Sequence, residues 1–172
     1  MDKPNFFHKP CFSQREAVDL SYELDNVTID NWVRHQHIEP IRVGSRRMFS
    51  LALLIKLDLI QMLSGMFKVP PLVAKVVAQE ALDEYIRSGR AQADYAEVEA
   101  GMHWAGGRRA HDAQISFARH KDGELLPVTG DDPEEIRVDV ILPVSSVARR
   151  LFDRIIRAAN DAKAAEGGGA DQ

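Results

Sequence analysis

The sequence predicts an α+β fold in which a helical front end with one short hairpin precedes a helix and a small C-terminal module of hairpin, strand and helix. Three observations carry that expectation. Apolar residues recur at spacings of three and four within 17–24, 29–33, 51–62 and 72–86, the signature of helices with a buried face. Gly44-Ser45 separates the short runs 41–43 and 46–49, the composition of a two-residue hairpin turn. Ile136, Val138, Val140 and Leu142 alternate at period two, as a half-buried strand does.

Ser13-Gln14-Arg15-Glu16 opens the first helix, expected over Phe12 to Leu24, because Ser13 can accept from the N3 amide while Glu16 reaches back to the cap amide. Ala17, Leu20 and Leu24 form its buried face. Asp25 is the expected N-cap of a second helix from Asn26 to about His35, since its carboxylate satisfies orphan amides at the positive end of the dipole. Ile29, Trp32 and Val33 share one side of that helix, leaving Thr28, Asp30, Asn31, Arg34 and His35 polar.

Counting outward from Gly44-Ser45 sets Val43 opposite Arg46, Arg42 opposite Arg47 and Ile41 opposite Met48. Like charges directly across a ladder cost up to about 1 kcal/mol unless an anion lies between them. A phosphate backbone would supply one; two guanidiniums splayed into solvent are the simpler alternative.

Ser50 is expected to cap a helix through about Leu63, with Leu51, Leu54, Ile55, Asp58, Leu59 and Met62 on its dominant face and Ser64-Gly65 as its stop. Pro70-Pro71 opens the next helix, to about Arg87. That helix is apolar enough to want a partner, in this chain or in a second copy. Ser88-Gly89-Arg90 breaks the pattern, a short helix follows around Tyr95 to Met102, and Gly106-Gly107-Arg108-Arg109 reads as loop. Ile115 and Phe117 lead to the hairpin signal Lys121-Asp122-Gly123-Glu124, and Leu125 to Val128 return. Pro143 ends the period-two strand, and Ser145 or Ser146 caps a last helix striped by Val147, Leu151, Ile155 and Ala159. The tail from Ala162 to Gln172, with its triple glycine, reads as disordered. The expected organisation is a front domain over 1–66, connecting or dimerisation helices and loop over 67–109, a small α+β module over 110–162 and a tail over 163–172.

Composition excludes several classes. With 172 residues, 45% apolar and 28% charged, the chain can build a core and is not disordered throughout. Its longest apolar run, Leu51 to Ile55, falls far short of the roughly 20 residues that span a bilayer. The single Cys11 cannot form an internal disulfide, and the first dozen residues lack the apolar core of a secretory signal, so a cytoplasmic location is expected. The net charge of −4 conceals an asymmetry: residues 1–75 hold 10 basic and 8 acidic side chains, and the rest hold 12 and 18. Between Asn31 and Lys56, Arg34, Arg42, Arg46, Arg47 and Lys56 face only Glu39 in charge, a local excess of the kind that meets polyanions or forms an ordinary solvated face.

Catalysis has little footing. The chain carries no Gly-rich phosphate loop, HExxH pair or nucleophile elbow, and one cysteine precludes a thiolate metal site. Neither enzymatic activity nor a metal or other cofactor is expected. Of the six histidines, His35 and His37 are the close pair, but positions two apart on a helix point to different sides. Gly106 to Arg109 could cradle an anion but better suits a linker, and His103 with Trp104 could line a pocket or anchor a seam.

A capped helix, a tight connection, a second helix bearing Thr, Asn, Arg and His, and a basic hairpin make the arrangement of a winged helix-turn-helix. The stretch from Phe12 to Leu63 resembles the DNA-binding domain of the MerR family, through Thr28-Ile29-Asp30-Asn31-Trp32, Ile38-Glu39-Pro40 and Arg46-Arg47-Met48-Phe49-Ser50. The resemblance implies packing roles for Ile29 and Trp32, DNA-facing positions for Thr28, Asn31 and Arg34, and a wing arginine in Arg47. The chain departs from that family in three ways. Asp30 replaces an arginine, the helix connection lacks its glycine, and the 71–87 helix is short for a coiled-coil dimer.

The expected function is therefore a sequence-specific transcriptional regulator of MerR-like type that binds double-stranded DNA as a homodimer. Thr28, Asn31, Arg34, His35, Arg42, Arg46, Arg47 and Lys56 form its candidate DNA surface, and the acidic C-terminal module is available to a protein partner. Two alternatives stand beside it: a protein-interaction adaptor on a winged scaffold, which Asp30 and the overall acidity favour, and a phage-type DNA-packaging or excision accessory protein.

Overall fold

A strand that the sequence does not announce organises the front end. The computed structural model describes residues 6–102, 113–119, 125–127 and 137–167. After a 3-10 turn over Phe6–His8, β1 (Pro10–Ser13) pairs antiparallel with β3 (Arg46–Ser50), whose other edge carries β2 (Ile41–Val43). The first helix accordingly starts later than expected, because Phe12 and Ser13 pair with Phe49 and Met48.

Helix α1 (Gln14–Leu20) has the expected capping box. The Glu16 amide donates to Ser13 Oγ at 3.3 Å, and the Ser13 amide donates to Glu16 Oε2 at 2.7 Å. It ends four residues before Leu24, because its last groups find partners outside the helix. Arg154 Nη1 donates to the carbonyls of Leu20 (2.6 Å) and Ser21 (3.0 Å), and the Tyr22 amide donates to Asp58 Oδ1 at 3.0 Å. Helix α2 (Asn26–Arg34) is capped by Asp25, which accepts from the Thr28 amide at 2.6 Å, and buries Ile29 and Trp32. It closes in a Schellman arrangement with His35 at the cap: Gln36 takes φ +58°, its amide bonds Val33 O, and the His37 amide bonds Trp32 O.

The hairpin has the expected register, with Arg42 opposite Arg47. Gly44 supplies the positive φ (+61°), and Ser45 does not share it, the pattern of a turn with glycine in its first central position. Helix α3 (Leu51–Met66) starts at the Ser50 cap, where Ser50 Oγ accepts from the Leu53 amide at 3.2 Å. It runs through Ser64-Gly65 and ends where Lys68 adopts φ +58° ahead of Pro70-Pro71. Rather than one dominant face it buries all sides, including Ile60, Leu57 and the charged Lys56 and Asp58, as befits a central helix. Helix α4 (Pro71–Arg87) packs along it.

Helix α5 occupies Arg90–Glu99, earlier than expected, because Gly89 in the left-handed region (φ +74°) turns the chain and lets the helix restart at once. The second sheet has the order β5-β4-β6, with β4 (Ala113–Arg119) between β5 (Leu125–Pro127) and β6 (Arg137–Leu142). Helix α6 (Val144–Gly167) begins directly after Pro143, so Ser145 and Ser146 lie in its first turn. It extends beyond Ala162, because Ala162-Lys163-Ala164-Ala165-Glu166 are strong helix formers that carry it to the glycine run. Helix α6 packs against α5, α3, α4 and α1. Phe152 joins the two ends of the chain, with its ring centroid 6.1 Å from that of Phe7 and 5.3 Å from that of Tyr95.

Candidate functional site

Helix α2 and the hairpin present most of the candidate residues, and the link between them is an ion pair. Asp30 Oδ1 accepts from Arg47 Nη1, and Gln14 bridges the same group: its Nε2 donates to Asp30 Oδ1 (3.3 Å), and its Oε1 accepts from Arg47 Nη1 (3.1 Å). Gln14 Nε2 also reaches Asn26 Oδ1 at 3.2 Å. The Arg47 guanidinium, helped by Gln14, holds the Asp30 carboxyl below its ordinary range. The anion that relieves the Arg42/Arg47 opposition is therefore Asp30 of the same chain, so no external phosphate is needed for it.

Around this pair, Asn31, Arg34 and His35 are exposed on α2, Thr28 is half-buried, and Arg42 and Arg46 are exposed on the hairpin. Among the described residues Arg34, Arg42 and Arg46 make no ion pair. Val27 is 67% exposed on the first turn of α2, and Ile41 and Val43 are exposed along β2, the edge strand. Lys56 departs from this surface. It is 9% exposed, with Nζ donating to Gln79 Oε1 of α4 at 2.7 Å. Burial pushes its ammonium below the ordinary lysine value, as does the charge of Lys75. It cannot serve as a surface phosphate contact.

Lys56 lines an open cavity of about 360 Å³ bordered by the hairpin, the end of α2, α3 and α4. Its walls include Ile41, Met48, Leu53 and Leu82 as well as Lys75 and His37. Contrary to the helical geometry assumed from sequence, His37 lies beyond the end of α2, and its ring stacks on that of His35 with centroids 6.0 Å apart. Burial and the charges of His35 and Lys75 lower its basicity.

The connection between α1 and α2 is held from behind. Besides Asp58 and Arg154, the Arg150 guanidinium of α6 lies 4.8 Å from the centroid of the Tyr22 ring. Burial pushes the Asp58 carboxyl up to about 6, against the opposing pull of the Tyr22 amide and of Arg150 and Arg154. Glu23 occupies the left-handed region (φ +52°) in this connection, where a glycine would be unstrained.

A second polar cluster joins α4, α5 and α6. Fully buried Asp94 accepts from Tyr85 Oη (2.7 Å), Arg90 and Arg149 (3.2 Å), and Arg149 also reaches Glu97 and the Met102 carbonyl (2.8 Å). Burial and the neighbouring Asp94 carboxylate raise the Tyr85 hydroxyl well above the ordinary tyrosine value. Every titratable member has a partner in the fold, so the cluster reads as a structural clamp.

The sequence reading gave no site role to Gln14, Asp58, Arg154 or the cavity residues of α4: Gln14 read only as part of a helix opening and Asp58 as part of a buried face, while Arg154 and α4 are separated from the α2–hairpin surface by long stretches of chain. His103, Trp104, Gly106 to Arg109, His111 and His120 lie outside the described residues. No protein-family model, characterised protein or solved structure matches the chain. Among the described residues no helix is long and apolar enough to cross a membrane.

Proposed function

We propose that the protein is a sequence-specific regulator that binds double-stranded DNA through a winged helix-turn-helix, with α2 in the major groove and the β2–β3 hairpin as the wing. One observation carries this reading: the Asp30–Arg47 pair neutralises the single acidic residue within α2 while Arg34, Arg42 and Arg46 stay exposed and unpaired beside it. An anionic backbone approaching this face meets the exposed guanidiniums of Arg34 and Arg42 and a carboxylate already engaged, with Arg46 flanking it from the other face of the hairpin. Thr28 and Asn31 are the base-edge readers, and Val27 offers an apolar contact for a thymine methyl. Arg47 becomes a positioning residue for the wing. Assembly is proposed as a homodimer through α4, where Leu72 and Val76, one turn apart, are 65% and 52% exposed.

Three arginines on each protomer without an ion pair among the described residues give six phosphate contacts in a dimer, so log K should fall with log[salt] at a slope of about −5. Titration of a labelled duplex between about 50 and 200 mM salt tests this, together with recovery of bound genomic fragments. The expected fragments share an inverted repeat; an affinity indifferent to salt defeats the proposal.

The second reading, a protein-interaction adaptor, is favoured by the edge strand β2, which leaves Ile41 and Val43 exposed (48% and 56%) beside unpaired backbone groups. It predicts recovered fragments without a common motif and partner capture abolished by Val43→Lys.

A further inference from the structure

The cavity behind the hairpin combines a ligand-sized volume with a lining of mixed chemistry. Its volume, about 360 Å³, lies in the range of small-ligand sites, and its walls carry apolar side chains from β2, β3, α3 and α4 beside two ammonium groups. Lys56 is the informative one. Its side chain is buried, and among the described residues its one hydrogen bond goes to a neutral acceptor, Gln79 Oε1. Gln79 in turn donates through Nε2 to Asp83 Oδ1 at 2.8 Å, which fixes its oxygen towards Lys56 and keeps the Asp83 carboxylate one side chain away. A buried ammonium is retained only where it is paired or well hydrogen-bonded, and no carboxylate stands within ion-pairing distance of Lys56 among the described residues.

The remaining charges have the same balance. Lys75 Nζ donates to the Gln36 carbonyl at 2.6 Å and stands 3.9 Å from Glu39, whose side chain is 80% exposed. His37 Nδ1 is buried and has no hydrogen-bond partner among the described residues. Ser50 Oγ accepts from the Leu53 amide, leaving its own proton to donate. Lys56, Lys75, His37 and Ser50 thus line one space in which, among the described residues, Glu39 is the one carboxylate, and it points outward. Opposite them, Ile41, Met48, Leu53 and Leu82 supply an apolar wall.

We propose that this cavity binds a small organic acid, its carboxylate on the Lys56 and Lys75 ammonium groups and its hydrocarbon body against Met48, Leu53 and Leu82. A bare inorganic anion would leave the aliphatic wall unused, and a neutral ligand would leave Lys56 without its counter-charge. The inference rests on the cavity alone and holds whether or not the exposed arginines meet DNA.

The test uses the full chain at neutral pH and calorimetric titration with hexanoate, benzoate, 1-hexanol and inorganic phosphate. Hexanoate or benzoate should bind in the sub-millimolar range and raise the unfolding temperature by several degrees, while 1-hexanol and phosphate bind at least about tenfold more weakly. Lys56→Gln should lower the affinity for the acid by about tenfold or more, the value of a buried charge-assisted contact. Because that substitution alters a buried position, the wild-type protein supplies an independent readout: the Lys56 ε-methylene and ammonium resonances should shift on adding the acid and stay put on adding 1-hexanol. The proposal is overturned if neither acid binds, if 1-hexanol or phosphate binds as tightly, or if the Lys56 resonances do not respond.

Discussion

Asp30 on α2 and Arg47 on β3 form an ion pair that docks the hairpin onto the helix beside it, with Gln14 of α1 bridging both partners. Three elements separated in sequence meet at this one point. The pair is partly exposed, with side chains 48% and 30% accessible, so its worth lies in orientation more than in stability. It also decides which charges are left for a ligand.

Asp30→Ala should therefore tighten DNA binding. The substitution removes a negative charge from the proposed groove-facing helix and releases the Arg47 guanidinium to meet phosphate. The salt slope should steepen by about 1 for each protomer engaged, and sequence preference should broaden because the wing loses its fixed orientation. Anisotropy titrations of the wild type and variant across salt concentrations measure both effects. A weaker or unchanged affinity would mean that Asp30 itself reads a base, such as a cytosine amino group.

Arg42→Ala and Asn31→Ala should separate positioning from reading. Arg42 is exposed and unpaired among the described residues, so its loss should weaken all duplexes alike and reduce the salt slope by about 1 for each protomer engaged. Asn31→Ala should cost about 1–3 kcal/mol on the preferred site and little elsewhere. Comparing each variant on specific and scrambled duplexes checks the division; equal losses on both duplexes for Asn31→Ala would remove it from the base-reading set.

The elements set by local rules were legible in the sequence. Ser13, Asp25 and Ser50 cap the helices they were expected to cap, and Gly44-Ser45 set the hairpin register to the residue. What was not legible depends on partners remote in the chain. Pro10 to Ser13 has no strand pattern of its own and becomes β1 only because β3 offers it a free edge. Lys56 counted as one more cation until α4 closed over it, because its helix is apolar all round and charge alone does not reveal depth. Glu23 and Gln36 take left-handed conformations without the glycine that would have marked them.

Gln36→Gly should stabilise the fold. Gln36 sits at φ +58° in the position after the cap of α2, where a side chain costs about 1–2 kcal/mol that glycine avoids. Glycine loses more backbone freedom on folding, about 0.5–1 kcal/mol, so the net gain should be about 0.5–1 kcal/mol, or a few degrees in unfolding temperature. The bond from Lys75 survives because it reaches the backbone carbonyl. Gln36→Ala, which keeps the conformational cost, should give no gain; calorimetry on both variants makes the comparison, and equal behaviour would remove backbone strain as the cause.

Asp94→Ala should be the most damaging single change outside the apolar core. It takes from Arg149, which is buried, the carboxylate it shares with Glu97, and it leaves the Tyr85 hydroxyl without its acceptor; losing a fully buried charged acceptor from such a cluster costs up to about 3–5 kcal/mol. Tyr85→Phe deletes one hydrogen bond from the same cluster and should cost about 1 kcal/mol. Urea unfolding of both variants tests the ranking, which would fail if Tyr85→Phe were the worse of the two.

Asp58 should give the protein a stability that falls as pH rises. Its carboxyl is buried in α3, accepts from the Tyr22 amide, and faces Arg150 and Arg154 of α6 and Ser21; the balance of these raises it from 3.8 in the unfolded chain to about 6. Between those values the native state binds the proton more tightly than the unfolded state, so stability from this group is full below the lower value and is lost as pH climbs through the upper one. The loss amounts to about 3 kcal/mol, at roughly 1.4 kcal/mol for each pH unit crossed. Asp58→Asn keeps an acceptor for the Tyr22 amide and removes the ionisation, so its stability relative to the wild type should rise from pH 4 to pH 7 and then level off. Urea midpoints measured at unit intervals from pH 4 to pH 8 trace the difference. A difference independent of pH would mean an unperturbed carboxyl, and one of opposite slope would mean that the two arginines outweigh burial and that Asp58 anchors the α1–α2 connection as an ion.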